Sequence, residues 1–126
     1  MKKSVLVVDD EKEICWLLQQ ILSQEGYQVS TAYSGKEGLA HIGKGGEVDI
    51  LILDLHLPDM NGLDLLEQIR NSGIQTPAVV ITAFGDEESR ERAAELGVKG
   101  FLDKPFEIST LLAALLATHS RRKLIN

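Results

Sequence analysis

Short apolar runs that each stop on a polar residue constrain this chain's fold more than any other feature. Val48 to Leu53, interrupted only by Asp49, ends on Asp54; Val5-Leu6-Val7-Val8 ends on Asp9 and Asp10; Ala78-Val79-Val80-Ile81 ends on Thr82. A fourth piece, Gly100-Phe101-Leu102, leads into Lys104-Pro105. Continuous apolar runs of this length are the pattern of parallel strands covered on both faces. Lying parallel, the strands bring their polar ends to one edge of one sheet, where open α/β sheets place their ligand sites.

Helical periodicity fills the intervals. After the first strand, Ile14, Leu17, Leu18, Ile21 and Leu22 make one stripe, and Gly26 stops the helix before a strand from Tyr27 to Ala32. Ser34 and Glu37 form a capping box for a short helix carrying Leu39 and Ile42, ended by glycines at 43, 45 and 46. Past Asp54, Asn61 caps a third helix with Leu63, Leu66 and Ile69, closed by Ser72-Gly73. Pro77 begins strand four, Asp86 caps helix four, Gly97 ends it, and strand five is predicted over Val98 to Leu102. Ile108, Leu111, Leu112, Leu115 and Leu116 make the final stripe. Alternating strands and helices with right-handed crossovers give a doubly wound α/β fold, a five-stranded parallel sheet with helices on both faces. In helix four the only apolar residues between Asp86 and Leu96 are Ala93, Ala94 and Leu96, and six residues of the helix are charged. Little burial anchors it, so it is the element expected to shift most readily.

A length of 126 residues suits one domain with a self-sufficient core. The single Cys15 excludes an internal disulfide, and a reducing cytoplasm is expected. Met1-Lys2-Lys3 with five apolar or small residues before two acids reads as too short in its apolar part for a secretory signal, and no apolar stretch approaches the roughly 20 residues of a membrane span. A net charge of -6 argues against direct nucleic-acid binding by this domain.

Three carboxylates crowded at the sheet edge repel one another and call for a proton or a cation. Mg²⁺ suits them, being a hard ion that takes carboxylate oxygens and leaves positions for phosphate. With Asp54 as nucleophile, Lys104 and the metal offset charge on a phosphoryl group in transfer, Thr82 donates a hydrogen bond to it, and the product is an aspartyl phosphate. Taken singly, Asp9 and Asp10 also suit a helix cap, Thr82 an ordinary strand position and Lys104 a solvated loop. Their joint placement at strand ends favours the site.

The set Val7-Val8-Asp9-Asp10-Glu11, Asp54 with Pro58 and Gly62 four and eight residues on, Ile81-Thr82-Ala83, and Lys104-Pro105-Phe106 resembles the receiver domain of two-component response regulators. The resemblance covers almost the whole chain. It implies a flavodoxin-like strand order 2-1-3-4-5 and phosphorylation of Asp54 by a histidine kinase or phosphotransfer protein. It implies Mg²⁺ held by Asp10, Asp54, the backbone carbonyl of His56 and, partly through water, Asp9. A cis Lys104-Pro105 bond is implied too. Thr82 and Phe101 carry over as switch residues that remodel the face of helix four, strand five and helix five, a face through which a homodimer is also expected. On this reading residues 1–120 are the receiver, 121–126 a basic tail or the start of a linker, and the chain a piece of a longer transcriptional regulator. The domain would then be no enzyme beyond catalysing its own aspartyl phosphorylation and dephosphorylation.

Four further residues carry expectations. The His56 ring faces solvent, Phe84 stands where hydrolytic water must approach, Trp16 lies opposite the apolar stripe in reach of a kinase, and Cys15 packs. The alternative is a Mg²⁺-dependent phosphatase working through an aspartyl phosphate, but His56 stands where its general acid would be and no cap domain follows. A nucleotide or flavin module is disfavoured by the acidic, glycine-free first turn.

Overall fold

Strand order in the computed structural model, which describes residues 2–43 and 47–120, follows from the burial each run demands. β1 (Ser4–Val8), β2 (Gln28–Ala32), β3 (Ile50–Asp54), β4 (Ala78–Thr82) and β5 (Gly100–Asp103) form one parallel sheet in the order β2-β1-β3-β4-β5. β3 and β4 are buried along their whole length, as their unbroken apolar sequences require. The helices are α1 (Lys12–Gln24), α2 (Gly35–Gly43), α3 (Gly62–Asn71), α4 (Glu87–Glu95) and α5 (Ile108–Ser120). Residues 45, 46 and 121–126, to which a helix stop and a basic tail were assigned, lie outside the described residues.

Alternation along the strands divides the core. Val5, Val7, Ile50, Ile52, Val79, Ile81 and Leu102 face α1 and α5, meeting Cys15, Leu18, Leu22, Leu111 and Leu115. Leu6, Val8, Leu51, Leu53 and Ala78 face α2 and α3, and Val80 joins Leu55, Leu63 and Ala93 beside α4. Ala93 is the only buried residue of α4, in line with the weak anchoring read from its composition.

Caps form where the sequence places them. Asn61 Oδ1 accepts from Leu63 N at 2.7 Å and Asp86 Oδ1 from Ser89 N at 2.9 Å. Ser34 Oγ accepts from Glu37 N, while Glu37 reaches back to Tyr33 N rather than to Ser34. The first two amides of α2 have a partner no local pattern announces, since Asp59 accepts from both Gly35 N and Lys36 N.

Four expectations need correction. Strand five begins at Gly100, not Val98, because Val98 N bonds Ala93 O and Gly97 N bonds Ala94 O, so Val98 completes the α4 terminus around Gly97 at φ 79°. Strand two begins at Gln28, since Tyr27 N likewise bonds Leu22 O at the end of α1. The α1 stripe runs through Cys15, Leu18 and Leu22, which turns Leu17 outward to 42 % exposure. On α5, Leu111 and Leu115 are buried and Leu116 is exposed.

Candidate functional site

The same alternation selects which acids meet. Asp9 continues the Val5-Val7 parity and Asp54 the Ile50-Ile52 parity, while Lys104 lies two residues past Leu102, so all three turn to the α1/α5 side of the sheet edge. Lys104 Nζ donates to Asp9 Oδ2 at 2.9 Å, to Asp54 Oδ2 at 3.1 Å and to Glu11 Oε1. Asp9 is fully buried, and the Lys104 side chain is 10 % exposed.

Charge in this cluster is unbalanced. Burial holds the Asp9 carboxyl above its ordinary range, and repulsion from Asp54 adds to that, against hydrogen bonds from Lys104 and Glu11 N that favour the ionised form. For Lys104, burial works to lower the pKa, but the hydrogen bonds to Asp9, Glu11 and Asp54 outweigh it and hold the ammonium above the usual lysine value. Cys15, beneath the cluster, donates its thiol to Asp9 O at 3.2 Å, and burial pushes that thiol up to about 11. It is a packing residue, as expected.

Carboxylate oxygens of Asp9, Glu11 and Asp54 lie within 4.8 Å of one another. Hard oxygen donors in excess of positive charge are a fit for a divalent cation such as Mg²⁺. Asp10 is exposed and stands outside this trio, lining an open cleft with His56, Pro58, Met60 and Asn61. The trio's third member, Glu11, was not among the predicted ligands. Its only signal was a third consecutive acid. It is the N-cap residue of α1, yet its side chain makes no capping bond and reaches Lys104 instead.

Backbone packing fixes Asp54. His56 N donates to Asp54 Oδ1 at 3.3 Å, and Gly62 N donates to Leu55 O at 2.7 Å. A Cβ on Gly62 would lie 2.2 Å from Asp54 O, so only glycine lets α3 start this close to the acid. The Lys104-Pro105 bond is cis, as implied.

Thr82 ends β4 on the opposite parity, fully buried, with its Oγ1 accepting from Phe84 N at 3.3 Å. Phe101 pairs with Val80 in the β4/β5 register and Asp103 with Thr82, so Thr82, Phe101 and Asp103 share the α4 side of the sheet. Over the mouth, the exposed His56 ring lies 3.4 Å through Nε2 from Phe84 O and edge-on to the Phe84 ring, which is 79 % exposed. Trp16 is 62 % exposed beside Lys12, Glu13 and Leu17. Among the described residues no helix is long and apolar enough to cross a membrane.

Comparisons with known proteins agree with this geometry. A family model described as response regulator receiver domain matches residues 5–116. Transcriptional regulatory protein CpxR of Klebsiella pneumoniae is 39 % identical over 113 residues, covering 90 % of this chain and 47 % of the relative. Transcriptional regulatory protein DltR of Streptococcus agalactiae is 37 % identical over 111 residues, covering 88 % and 49 %. The chain thus spans about half the length of the curated relatives it matches. A CheY-like receiver domain protein from Methanospirillum hungatei superposes with a TM-score of 0.92 at 28 % identity over 100 % of both chains. The signal receiver domain of a LuxO repressor from Vibrio parahaemolyticus gives 0.90 at 29 % identity, covering 98 % of this chain and 95 % of its own.

Proposed function

This chain belongs to the response regulator receiver domain family of two-component systems, and on that premise we propose that Asp54 accepts a phosphoryl group from a phosphohistidine partner. The observation that carries this is the cluster of a buried ammonium, Lys104, bonded to Asp54 and to two further acids at the edge of the parallel sheet. An Asp54 oxygen attacks phosphorus as the phosphorus–nitrogen bond to the histidine breaks, leaving an acyl phosphate on Asp54 and neutral imidazole on the donor once a proton is taken up. Lys104 releases Asp54 to bond a phosphoryl oxygen, and Thr82, one strand away, supplies a hydroxyl donor on the other side. Asp9, Asp10, Asp54 and the His56 carbonyl would hold Mg²⁺, which supplies positive charge against the transferred oxygens. The chemistry modifies only the domain itself.

The product is a signal. Thr82 turning toward the phosphoryl group opens room for the Phe101 ring on their shared face, and the weakly held α4 follows. The face of α4, β5 and α5 then changes its affinity for an output domain, a target or a second copy of the chain. The kinship to transcriptional regulators of about twice this length supports an attached DNA-binding output.

Intact mass after incubation with acetyl phosphate and Mg²⁺ tests the reading. One phosphoryl adduct is expected, absent in Asp54→Ala and absent with a chelator. A folded, Mg²⁺-binding chain that gains no adduct would overturn it.

A further inference from the structure

We propose that Arg90 is a positioning residue that clamps the Phe101 ring in the unphosphorylated state, so that α4 and the switch ring are released together. The inference rests on the reading of Thr82 and Phe101 as a coupled pair, and names how that coupling is restrained in this chain. Arg90 leaves α4 with its guanidinium carbon 4.5 Å from the centroid of the Phe101 ring. Its Nη2 donates to Asp103 Oδ2 at 2.6 Å. Phe101 and Asp103 are two residues apart on β5 and therefore project from the same face, so one planar fork engages the ring and the carboxylate together. The loop before α4 closes on the same ring, where a Cβ on Gly85 would lie 2.6 Å from Phe101 Cε1 and 2.9 Å from Asp103 Oδ1. A side chain there would have to displace the ring or the Asp103 carboxylate from this position.

The remainder of α4 makes this contact consequential. Ala93 is its only buried residue, and its other long cation, Arg92, pairs with Asp64 and Glu67 on α3, a helix assigned no part in the switch. Arg90 therefore joins α4 directly to the moving residue of β5. When the ring turns toward the space left by Thr82, the cation loses its aromatic partner, so the contact favours the unphosphorylated arrangement. A contact made in one state only shifts the equilibrium by its own worth, and by linkage it weakens binding of any phosphoryl mimic by the same factor.

Beryllofluoride with Mg²⁺, titrated by calorimetry into the whole chain, reads that factor. Arg90→Ala should bind about two- to fivefold tighter than wild type, the range expected for an exposed cation–π contact made in one state only. Arg90→Lys keeps a charge for Asp103 without the planar stack and should fall between the two. In a Phe101→Ala background, Arg90→Ala should change affinity by less than about 1.5-fold, because the ring through which it acts is gone. Near-ultraviolet circular dichroism establishes that each variant is folded, and because Arg90 and Asp103 are both near half exposed, Asp103→Asn gives a second, mild route to the same loosening. Wild-type binding with no gain in Arg90→Ala, or an equal gain with and without Phe101, overturns the clamp and leaves the phosphoacceptor reading intact. No binding by wild type removes the phosphoacceptor reading and the clamp with it.

Discussion

Replacing Asp9 by Asn should make the metal-free chain more stable, although it deletes a partner of Lys104. Oxygens of Asp9 and Asp54 approach within 4.8 Å, where two unit charges repel by about 3.5 kcal/mol at an effective dielectric near 20 and by about 0.9 kcal/mol in water. Burial of the Asp9 carboxylate adds an unfavourable contribution that the exposed Glu11 does not suffer. Against this stands one charge-assisted hydrogen bond from Lys104, worth roughly 1.5–3 kcal/mol, while Lys104 keeps Asp54 and Glu11 and an Asn oxygen still accepts from Glu11 N. The raised Asp9 pKa says that repulsion and burial win. The expected gain is about 1–2 kcal/mol at pH 7 without metal, or roughly 3–8 °C in Tm for a domain this size. The sign carries a pH dependence. Because the folded carboxyl binds its proton more tightly than the unfolded one, its favourable contribution is complete below about 3.8 and is lost as pH rises through the higher folded value. The variant's advantage must therefore shrink as pH falls toward 3.8 and widen above it. Urea unfolding at several pH values, with and without Mg²⁺, measures this, and added Mg²⁺ should stabilise wild type more than the variant. An Asp9→Asn chain no more stable than wild type at pH 7, or an advantage independent of pH, would refute the reasoning.

Gly62→Ala should lose more than about 3 kcal/mol in urea unfolding, because its Cβ would meet Asp54 O at 2.2 Å and backbone has to move; a loss under about 1 kcal/mol would mean that the β3–α3 loop gives way freely. Phe84→Asn should speed loss of the phosphoryl group severalfold, on the order of 1 kcal/mol in barrier, by replacing an exposed ring at the mouth with a group that admits water; an unchanged rate of phosphate release after kinase removal sinks this. Trp16→Ala should leave Tm within about 2 °C, as surface changes are worth under about 0.5 kcal/mol, yet slow transfer from a cognate kinase while acetyl phosphate labelling stays at the wild-type rate. Equal slowing with both donors would place the defect in the site rather than in docking.

Much of this was legible because buried parallel strands write themselves as unbroken apolar runs and their ends announce the site. Asp54 and Lys104, which the fold brings within hydrogen-bond distance, were read that way, Thr82 was read that way too but ends its strand on the other face, and kinship of the motifs supplied the strand order and the cis bond. The misreadings share a cause: a residue type fits two environments until its neighbours are known. Val98 suits a strand, but the Gly97 turn takes its amide. Leu17 and Leu116 satisfy a helical period, but the line of contact with the sheet runs through Cys15, Leu18 and Leu22 on one helix and Leu111 and Leu115 on the other. Glu11 and Asp59 reach partners 93 and 24 residues away, a relation no local pattern encodes.

Strand alternation also has a consequence for how such a chain can diversify. Asp9, Asp54 and Lys104 project from one side of a sheet a single backbone thick, and Thr82, Phe101 and Asp103 from the other. In the proposed function, acceptance of the phosphoryl group and the turn of the Phe101 ring therefore lie on opposite sides of hydrogen-bonded main chain, with Thr82 the point of crossing. Residues on the α4 side can be exchanged while the acids and the lysine keep their spacing on the other. The sheet works as a partition wall with one door.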